Sequence, residues 1–412
     1  MNGVPDTIVY SEKPRATAAS RVRQNFQPIN GREFSPSSQI HFSLACGRKG
    51  AFLDPRSVYL KFKLHNSGGT ALQIDYSAHS VIRLLEVYYG STQLEYINEY
   101  GSIVTALIDS QADITRESRS GTILEGVANA SRAGATVAAN SNSTFCLPLV
   151  SGIVGSMTQK LLPVGSMTRD NLRLSLTLAD LHDIQYAAAS LDWKVDSVEL
   201  ICEYVMISPE VARVIESMSP QGIRVPMTSF SLQANTVPAN TTNPNLLLSG
   251  NFRSVKTLFT MFRLAENKGS AGASKRYIAN RVNPIQNLGS WTYDIAGFKV
   301  PQTPVRGSVE SYMELQKAFH HFSAIEGVGL HKLDTWTNET AGSFLIAVDL
   351  DHFGGKSAVS ESGVDISTSS CYFQADFGTD YTGTAALRCD TWFHFDGVLY
   401  ISPDGAAAQT MV

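Results

Sequence analysis

Asp349-Leu350-Asp351-His352 places two carboxylates and an imidazole within four residues. On a strand Asp349 and Asp351 share a face, and paired carboxylates can hold a hard cation. A plainer reading competes with that one. Phe344, Ile346, Val348 and Leu350 take the inner face of the same strand and leave the acids on its solvent side. The alternation favours this second reading. His320 and His321 stand together at the end of a helical stretch. Adjacent helical residues point in different directions and do not easily share a metal, so exposure or a contact with the helix C-terminus fits them better. His394 and Asp396 share a strand face near Trp392, a spacing common in sheets. Arg253, Lys256 and Arg263 lie near one another without interleaved aromatics, which reads as a solvated or subunit-contacting strand face, not a nucleic-acid groove. No Gly-x-Ser-x-Gly, no phosphate-cradling glycine loop and no His-Glu-x-x-His occurs. The Gly-Ser-Met tripeptides at 155–157 and 165–167 are loop material. No nucleophile has a plausible base. The chain reads as a non-enzyme, with no catalytic, cofactor-binding or metal-ligating residue to nominate.

The elements that carry these residues are strands. Val58, Leu60, Phe62 and Leu64 alternate with polar partners, as do Leu172, Leu174, Leu176 and Leu178. Val198, Leu200, Cys202, Tyr204 and Met206 continue the pattern, as do Phe393, Phe395, Leu399 and Ile401. Residues 258–264 form a mostly apolar run. Many short strands between Gly, Pro and Asn turns indicate sandwiches or barrels rather than βαβ units. Helical patterning is sparse: 97–109, with Ile97, Tyr100, Val104, Leu107 and Ile108 on one face, and 308–322, with Tyr312, Leu315, Phe319 and Phe322 on one face. Ser208 followed by Pro209 is a favoured start for a short third helix.

The chain closes in the same way twice. Strand-like 195–207 runs into Ile207-Ser208-Pro209-Glu210, and strand-like 390–401 runs into Ile401-Ser402-Pro403-Asp404, 194 residues later in a chain of 412. Leu176 to Leu181 and Ile346 to Asp351 form a second, shorter correspondence, each carrying an Asp-Leu pair. Each half inserts one helix into a run of strands. The implied organisation is an N-terminal arm over 1–24, a first unit over 25–207, a linker over 208–224, a second unit over 225–404 and a C-terminal tail over 405–412.

Composition agrees. A length of 412 residues suits two cores, and 43% hydrophobic with 17% charged residues supplies them. A net charge of −4 gives no global field for gripping nucleic acid. Cys46, Cys146, Cys202, Cys371 and Cys389 are odd in number and scattered, which suggests a reduced interior without a disulfide framework. The sequons at Asn129, Asn142, Asn240 and Asn338 are expected by chance in so polar a chain. The first 23 residues are polar, carry Lys13, Arg15, Arg21 and Arg23 and lack an apolar signal-peptide core. No stretch reaches the roughly 18 apolar residues of a membrane-spanning helix, so a soluble chain is expected until assembly.

Three stretches bear a likeness to a known family. Ser38-Gln39-Ile40-His41-Phe42 leads through Phe52-Leu53-Asp54-Pro55 to Tyr59-Leu60-Lys61-Phe62. Phe145-Cys146-Leu147-Pro148-Leu149 is followed by Leu161-Leu162-Pro163-Val164 and the leucine strand at 172–178. Ser362-Gly363-Val364-Asp365-Ile366 precedes the closing strand at 392–401. In pattern the chain resembles the major capsid proteins of double-jelly-roll DNA viruses, the group of adenovirus hexon, tectivirus-like phages, virophages, polinton-like viruses and the large nucleocytoplasmic viruses. The resemblance implies an all-β chain of two tandem eight-stranded jelly rolls with short inserted helices. It further implies a pseudo-hexameric homotrimer that tiles an icosahedral shell in the virion. The partners it implies are neighbouring capsomers, penton and minor capsid proteins, and an internal membrane or genome reached by the N-terminal arm. It implies no cofactor and no small-molecule substrate. Loops such as 111–143 and 265–290 would face outward or lie between subunits.

Two other readings fit the composition. One is a viral coat with a single jelly-roll shell domain and a projecting β-domain, but the four basic and two acidic residues within 1–24 are too few for the RNA-binding arm of such coats. The other is a secreted two-domain carbohydrate-binding β-sandwich. It would want a signal peptide and an aromatic platform, whereas the four tryptophans at 193, 291, 336 and 392 are dispersed.

Overall fold

Alternating apolar residues carry both halves into strands, and the two halves build the same object. The computed structural model describes residues 19–111, 120–127, 133–155, 157, 160–186, 192–218, 220–270, 276–319, 336–338, 342–351, 363–379, 381, 383 and 385–411. The first half contains β1 (Ala19–Phe26), β2 (Glu33–Phe34), β3 (Gln39–Leu44), β4 (Ala51–Asn66), β5 (Leu72–Asp75), β6 (Ile82–Tyr89) and β7 (Thr92–Asn98). Helices α1 (Tyr100–Gln111) and α2 (Ser120–Leu124) follow, then β8 (Ala133–Val137), β9 (Ser141–Pro148), β10 (Leu172–Leu178) and β11 (Trp193–Ile207). Helix α3 (Pro209–Met218) links the halves. The second half has β12 (Ile223–Val237), β13 (Asn245–Leu248), β14 (Val255–Leu264), β15 (Ser290–Ile295), β16 (Phe298–Arg306), α4 (Gly307–Ala318), β17 (Ile346–Asp349), β18 (Cys371–Asp376), β19 (Leu387–Ile401) and β20 (Ala407–Met411).

The first half folds into antiparallel sheets of order β1-β11-β4-β9 and β3-β10-β6-β7; the second half into β12-β19-β14-β17 and β13-β18-β15-β16. Taken in chain order, these are the same two sheets twice. The strand β12 matches β1 and β2 together: β1 starts opposite Ile207 and β2 pairs Val195 and Asp196, while β12 covers the whole of 387–401 from Ile401 to Leu387. The helices α1 and α4 sit at the same place, after β7 and after β16. Eight principal strands in two facing sheets, with this strand order, make each half a jelly roll.

The inner faces are those expected from the alternation. Val58, Leu60, Phe62 and Leu64 of β4 are buried, as are Phe393, Phe395, Leu399 and Ile401 of β19. The leucine strand differs in part. Ser175 and Thr177 of β10 are buried along with its leucines, because β10 lies between β3 and β6 and Ser175 stands in register between His41 and Glu86. Leu53-Asp54-Pro55, which the family likeness implies as a turn ahead of a long strand, is not one. It lies inside β4, where the pairing with β11 skips from Asp54 to Tyr59, a bulge held by Ser57 Oγ donating to the Asp54 carbonyl at 2.6 Å.

Several boundaries move. Pairing of β1 with β11 begins at Ala19, so 19–24 belong to the first sandwich, while the rest of the expected arm lies outside the described residues. The expected tail at 405–412 contains β20, which pairs with β19 over 397–401. There it occupies the place that 51–54 of β4 fill beside β11 in the first half. The two Ile-Ser-Pro stops thus end equivalent strands but diverge afterwards. Pro209 opens a helix, whereas Ser402 to Gly405 turns the chain back, with the Ser402 N–H donating to the Ala406 carbonyl at 2.9 Å. The Asp-Leu correspondence is not a structural one, since β10 matches β18 and β17 matches β9.

Candidate functional site: the seam between the sandwiches

The described members of the constellations seen in the sequence make ordinary structural contacts. Asp349 ends β17, and its Oδ1 accepts the Asp351 N–H at 2.9 Å, the geometry of a closed turn. His352, like His320 and His321, lies outside the described residues. The strand is not half-buried as expected: Ala347 is as buried as Ile346 and Val348, because α4 packs over it. His394 stacks on Phe230 at 4.9 Å, while Asp396 pairs with Lys256 at 3.2 Å and accepts from Ser254 at 2.7 Å. Among the described residues no group of three His, Cys, Asp or Glu is placed to hold a metal ion. All five cysteines are free. Burial pushes the Cys46 thiol up to about 11 and those of Cys202 and Cys371 up to about 12, so they behave as small apolar groups rather than nucleophiles.

The concentrated chemistry lies where the halves meet, and it is buried. Arg263, expected on a solvated or subunit-contacting strand face, is 1% exposed and turned to the other half of its own chain. It leaves β14 toward the first sandwich, pairs with Asp390 of β19, and donates from Nη1 to Ser102 Oγ of α1 at 2.6 Å. Glu99, at the corner between β7 and α1, comes from the other side. It pairs with Lys268 at 3.0 Å and Arg388 at 3.2 Å, and lies 3.9 Å from Arg263. The Arg263 guanidinium also stacks 4.0 Å from the Tyr277 ring centre. Burial pushes the Glu99 carboxyl up, but Arg263, Arg388 and Lys268 together outweigh it and hold the group below the usual carboxylate range.

The same polarity repeats along the seam. Asp109 of α1 pairs with the fully buried Arg281, whose guanidinium also donates to the Ser343 carbonyl at 2.9 Å. Asp75 accepts the Ala279 N–H at 2.9 Å, and Asp183 accepts the Gly269 N–H at 2.7 Å. Acids of the first sandwich thus meet cations and amide donors of the second. Much of 265–290, expected as a loop facing outward or lying between subunits, is this buried seam within the chain: Tyr277, Ile278, Ala279, Val282 and Ile285 are all interior. Within 111–143, likewise, β8 pairs with β5 instead of forming part of an open loop.

Glu95 of β7 makes a second kind of contact. It accepts from Ser151, from the Gly152 N–H at 2.8 Å and from Ser229 Oγ of β12 at 2.6 Å. Burial pushes its carboxyl up, and the hydrogen bonds from Ser151, Ser229, Gly152 and Ile153 only partly offset this. The Tyr89 hydroxyl donates to the Gly405 carbonyl at 2.7 Å, and Arg169 pairs with Asp404, so the end of the second half is tied to the first. Buried apolar side chains of both sandwiches merge into one continuous cluster. A cavity of about 550 Å³ opens beside the seam; apolar Leu107, Ile108, Phe230, Phe259 and Phe319 line it together with polar His79, Lys256, Asp351 and His394.

These contacts fasten two like sandwiches side by side, over a chain whose whole length has solved counterparts. VP54 of PBCV-1, fitted into a reconstruction of the virophage Sputnik, is similar with a TM-score of 0.67 at 11% identity, over 98% of this chain and 99% of that one. The Faustovirus major capsid protein matches with a TM-score of 0.63 at 9% identity, over 96% and 92%. A chain of the Sputnik virophage structure matches with 0.59 at 12% identity, over 100% and 93%. The fold is the double jelly roll of viral capsid proteins. No family model and no curated protein matches the sequence. At such identities the double jelly roll is shared through strand order and not through side chains. That order excludes the coat of one jelly roll plus a dissimilar projecting domain. Sequence reading missed the seam because its members, Glu99, Asp109, Arg263, Arg281 and Asp390, are far apart in the chain. The one available signal was charge inside apolar strand patterns, as at Arg263 and Asp390.

Proposed function

We propose that this chain is the major capsid protein of an icosahedral virus and assembles as a pseudo-hexameric homotrimer. The observation that carries the reading is the duplication itself: two jelly rolls of identical strand order, fastened by a buried ionic seam into one unit. Such a unit presents two similar lobes. Three copies present six, and a three-fold assembly can then occupy a lattice position with six neighbours. The likeness to the Faustovirus major capsid protein over nearly the full length of both chains supports it. The polar interior contacts supply position rather than reactivity, which suits a structural subunit of the virion.

The reading carries further partners with it. Neighbouring capsomers would contact the outer walls of the trimer, and penton and minor capsid proteins would fill the vertices and gaps. The residues ahead of β1 would face a membrane or the genome. Sedimentation of the purified full chain tests the core of the proposal: a trimer at micromolar concentration is expected, and a monomer there would overturn it. Electron microscopy of assembled particles tests the rest, with capsomers of near-hexagonal outline as the expected image.

A further inference from the structure

The two sandwiches are equivalent in fold but not in exposure. In the first, the corner from β7 into α1 and the face of α1 that follows it are buried against the second sandwich: Glu99 is 4% exposed, and Ser102 and Ala106 are fully buried. Matching the start of α1 at Tyr100 to the start of α4 at Gly307 brings Glu99 onto Arg306, Ser102 onto Val309 and Ala106 onto Met313. Each corner uses a left-handed residue, one position apart in this alignment: Glu99 at φ 50° and Gly307 at φ 68°. In the second sandwich this stripe is open. Arg306 is exposed, Val309 is 73% exposed and Met313 is 46% exposed. Two apolar side chains one turn apart on the outside of a helix form a face that wants cover.

The first sandwich offers a surface that would cover it. The seam-facing sheet of the second sandwich carries the part-buried Arg388 and the fully buried Asp390 at the start of β19, beneath the first sandwich. The matching positions at the start of β11 are Lys194 and Asp196. Their sheet face is open: Lys194 pairs with the exposed Glu33, Lys61 with Glu199, and Arg21 with Glu203, all with substantial solvent access. Within one chain, then, one corner and one sheet face are used and their counterparts are left free.

We propose that the open corner of one copy, Arg306 with Val309 and Met313, docks on the open β1-β11-β4 face of the first sandwich of a second copy, with Arg306 directed at Asp196. The contact repeats the geometry of the seam: Glu99 enters a basic cluster within the chain, and between chains Arg306 approaches the outward acids Asp196, Glu199 and Glu203 of β11, which there alternate with Lys194, Lys61 and Arg21. The interface is heterologous, so it closes into a ring when the rotation allows. It rests on the trimer reading above and names the surfaces that would make it.

Sedimentation velocity of the full chain decides it, with circular dichroism to confirm folding. Arg306→Asp, Asp196→Arg and Val309→Asp are each expected to raise the trimer dissociation constant at least tenfold, and the Arg306→Asp/Asp196→Arg pair to recover most of the loss. All these positions are solvent-accessible, so the subunit fold is expected to survive. A wild-type trimer that persists unchanged in all three single variants overturns this docking and leaves the trimer reading standing. A wild-type chain that stays monomeric overturns both.

Discussion

Arg263 of β14 and Glu99 of the β7–α1 corner belong to different sandwiches, yet their charged atoms stand 3.9 Å apart with 1% and 4% of their side chains exposed. Neither is a simple pair. Glu99 is shared by Arg263, Arg388 and Lys268, and Arg263 is shared by Glu99 and Asp390. Removing such groups from water costs several kcal/mol per ion, which mutual attraction returns only when every partner is in place. The seam therefore discriminates more than it glues: a displaced second sandwich would leave charges buried without partners.

Replacing Glu99 by Ala should expose that dependence. Arg263 and Arg388 would keep only Asp390 as an anion, while Lys268, 37% exposed, would turn to solvent, a loss on the order of 2–4 kcal/mol. Calorimetry should show a lower unfolding temperature and a single transition dividing into two as the sandwiches uncouple. A loss below about 1 kcal/mol with one transition retained would contradict the role given to the cluster.

Glu95 and Glu99 should drive stability in opposite directions with pH. Cations hold Glu99 below its ordinary 4.5 despite burial, so its contribution is present above that value and is lost as pH falls through the lowered one. Burial raises Glu95 above 4.5, so its contribution is full below that value and is lost as pH rises through the raised one. Glu95→Gln should therefore gain on the wild type as pH rises from 4 to 8, and Glu99→Gln should lose most against it at neutral pH. Urea midpoints across that range check both. A Glu95→Gln difference that stays constant with pH would remove the buried, proton-holding carboxyl from the account.

The strand content, the inserted helices and the repeated closure at Ile207 and Ile401 were legible in the sequence because each is local: alternation, helical spacing and a Ser-Pro stop report on neighbours. The buried role of Arg263 was not legible. Its surroundings in the chain read as an outward strand face, and only the approach of Glu99 and Ser102 from more than 160 positions away converts that face into interior. The strand β20 was missed for a related reason. Ala407-Ala408-Gln409-Thr410 has little strand character of its own; it forms because 397–401 of β19 offers an unpaired edge. Ala347, too, is buried by a helix that its own alternation could not announce.

Gly152 sits at a close backbone approach across the seam. A Cβ there would lie 2.3 Å from the Thr228 carbonyl oxygen and 3.3 Å from Glu95 Oε1. The first of these is backbone of a paired strand and has little room to yield. Gly152→Ala should cost about 1–3 kcal/mol through overpacking. It should also loosen the Glu95–Ser229 contact, read as faster amide exchange at 228–230 than at 58–64 in the middle of β4. Uniform exchange across both segments would show that the seam accommodates the methyl group without opening.

Ending the chain after Asp404 should damage the second sandwich from its edge. The deletion removes β20 and with it the partners of 397–401, although β12 still holds the other side of that segment. It also removes the Gly405 carbonyl that receives the Tyr89 hydroxyl across the seam. Losing a short ladder, at about 0.5–1.5 kcal/mol net per hydrogen bond, should lower stability by about 2–5 kcal/mol. The bared edge of β19 adds a second liability, because an unpaired strand edge recruits other chains. The truncated protein should show a lower urea midpoint and concentration-dependent aggregation, whereas removing 410–412 alone should do much less. An unchanged midpoint after the full deletion would mean that β19 is held by β12 and β14 without help, and that the C-terminal strand adds nothing to the joint between the two jelly rolls.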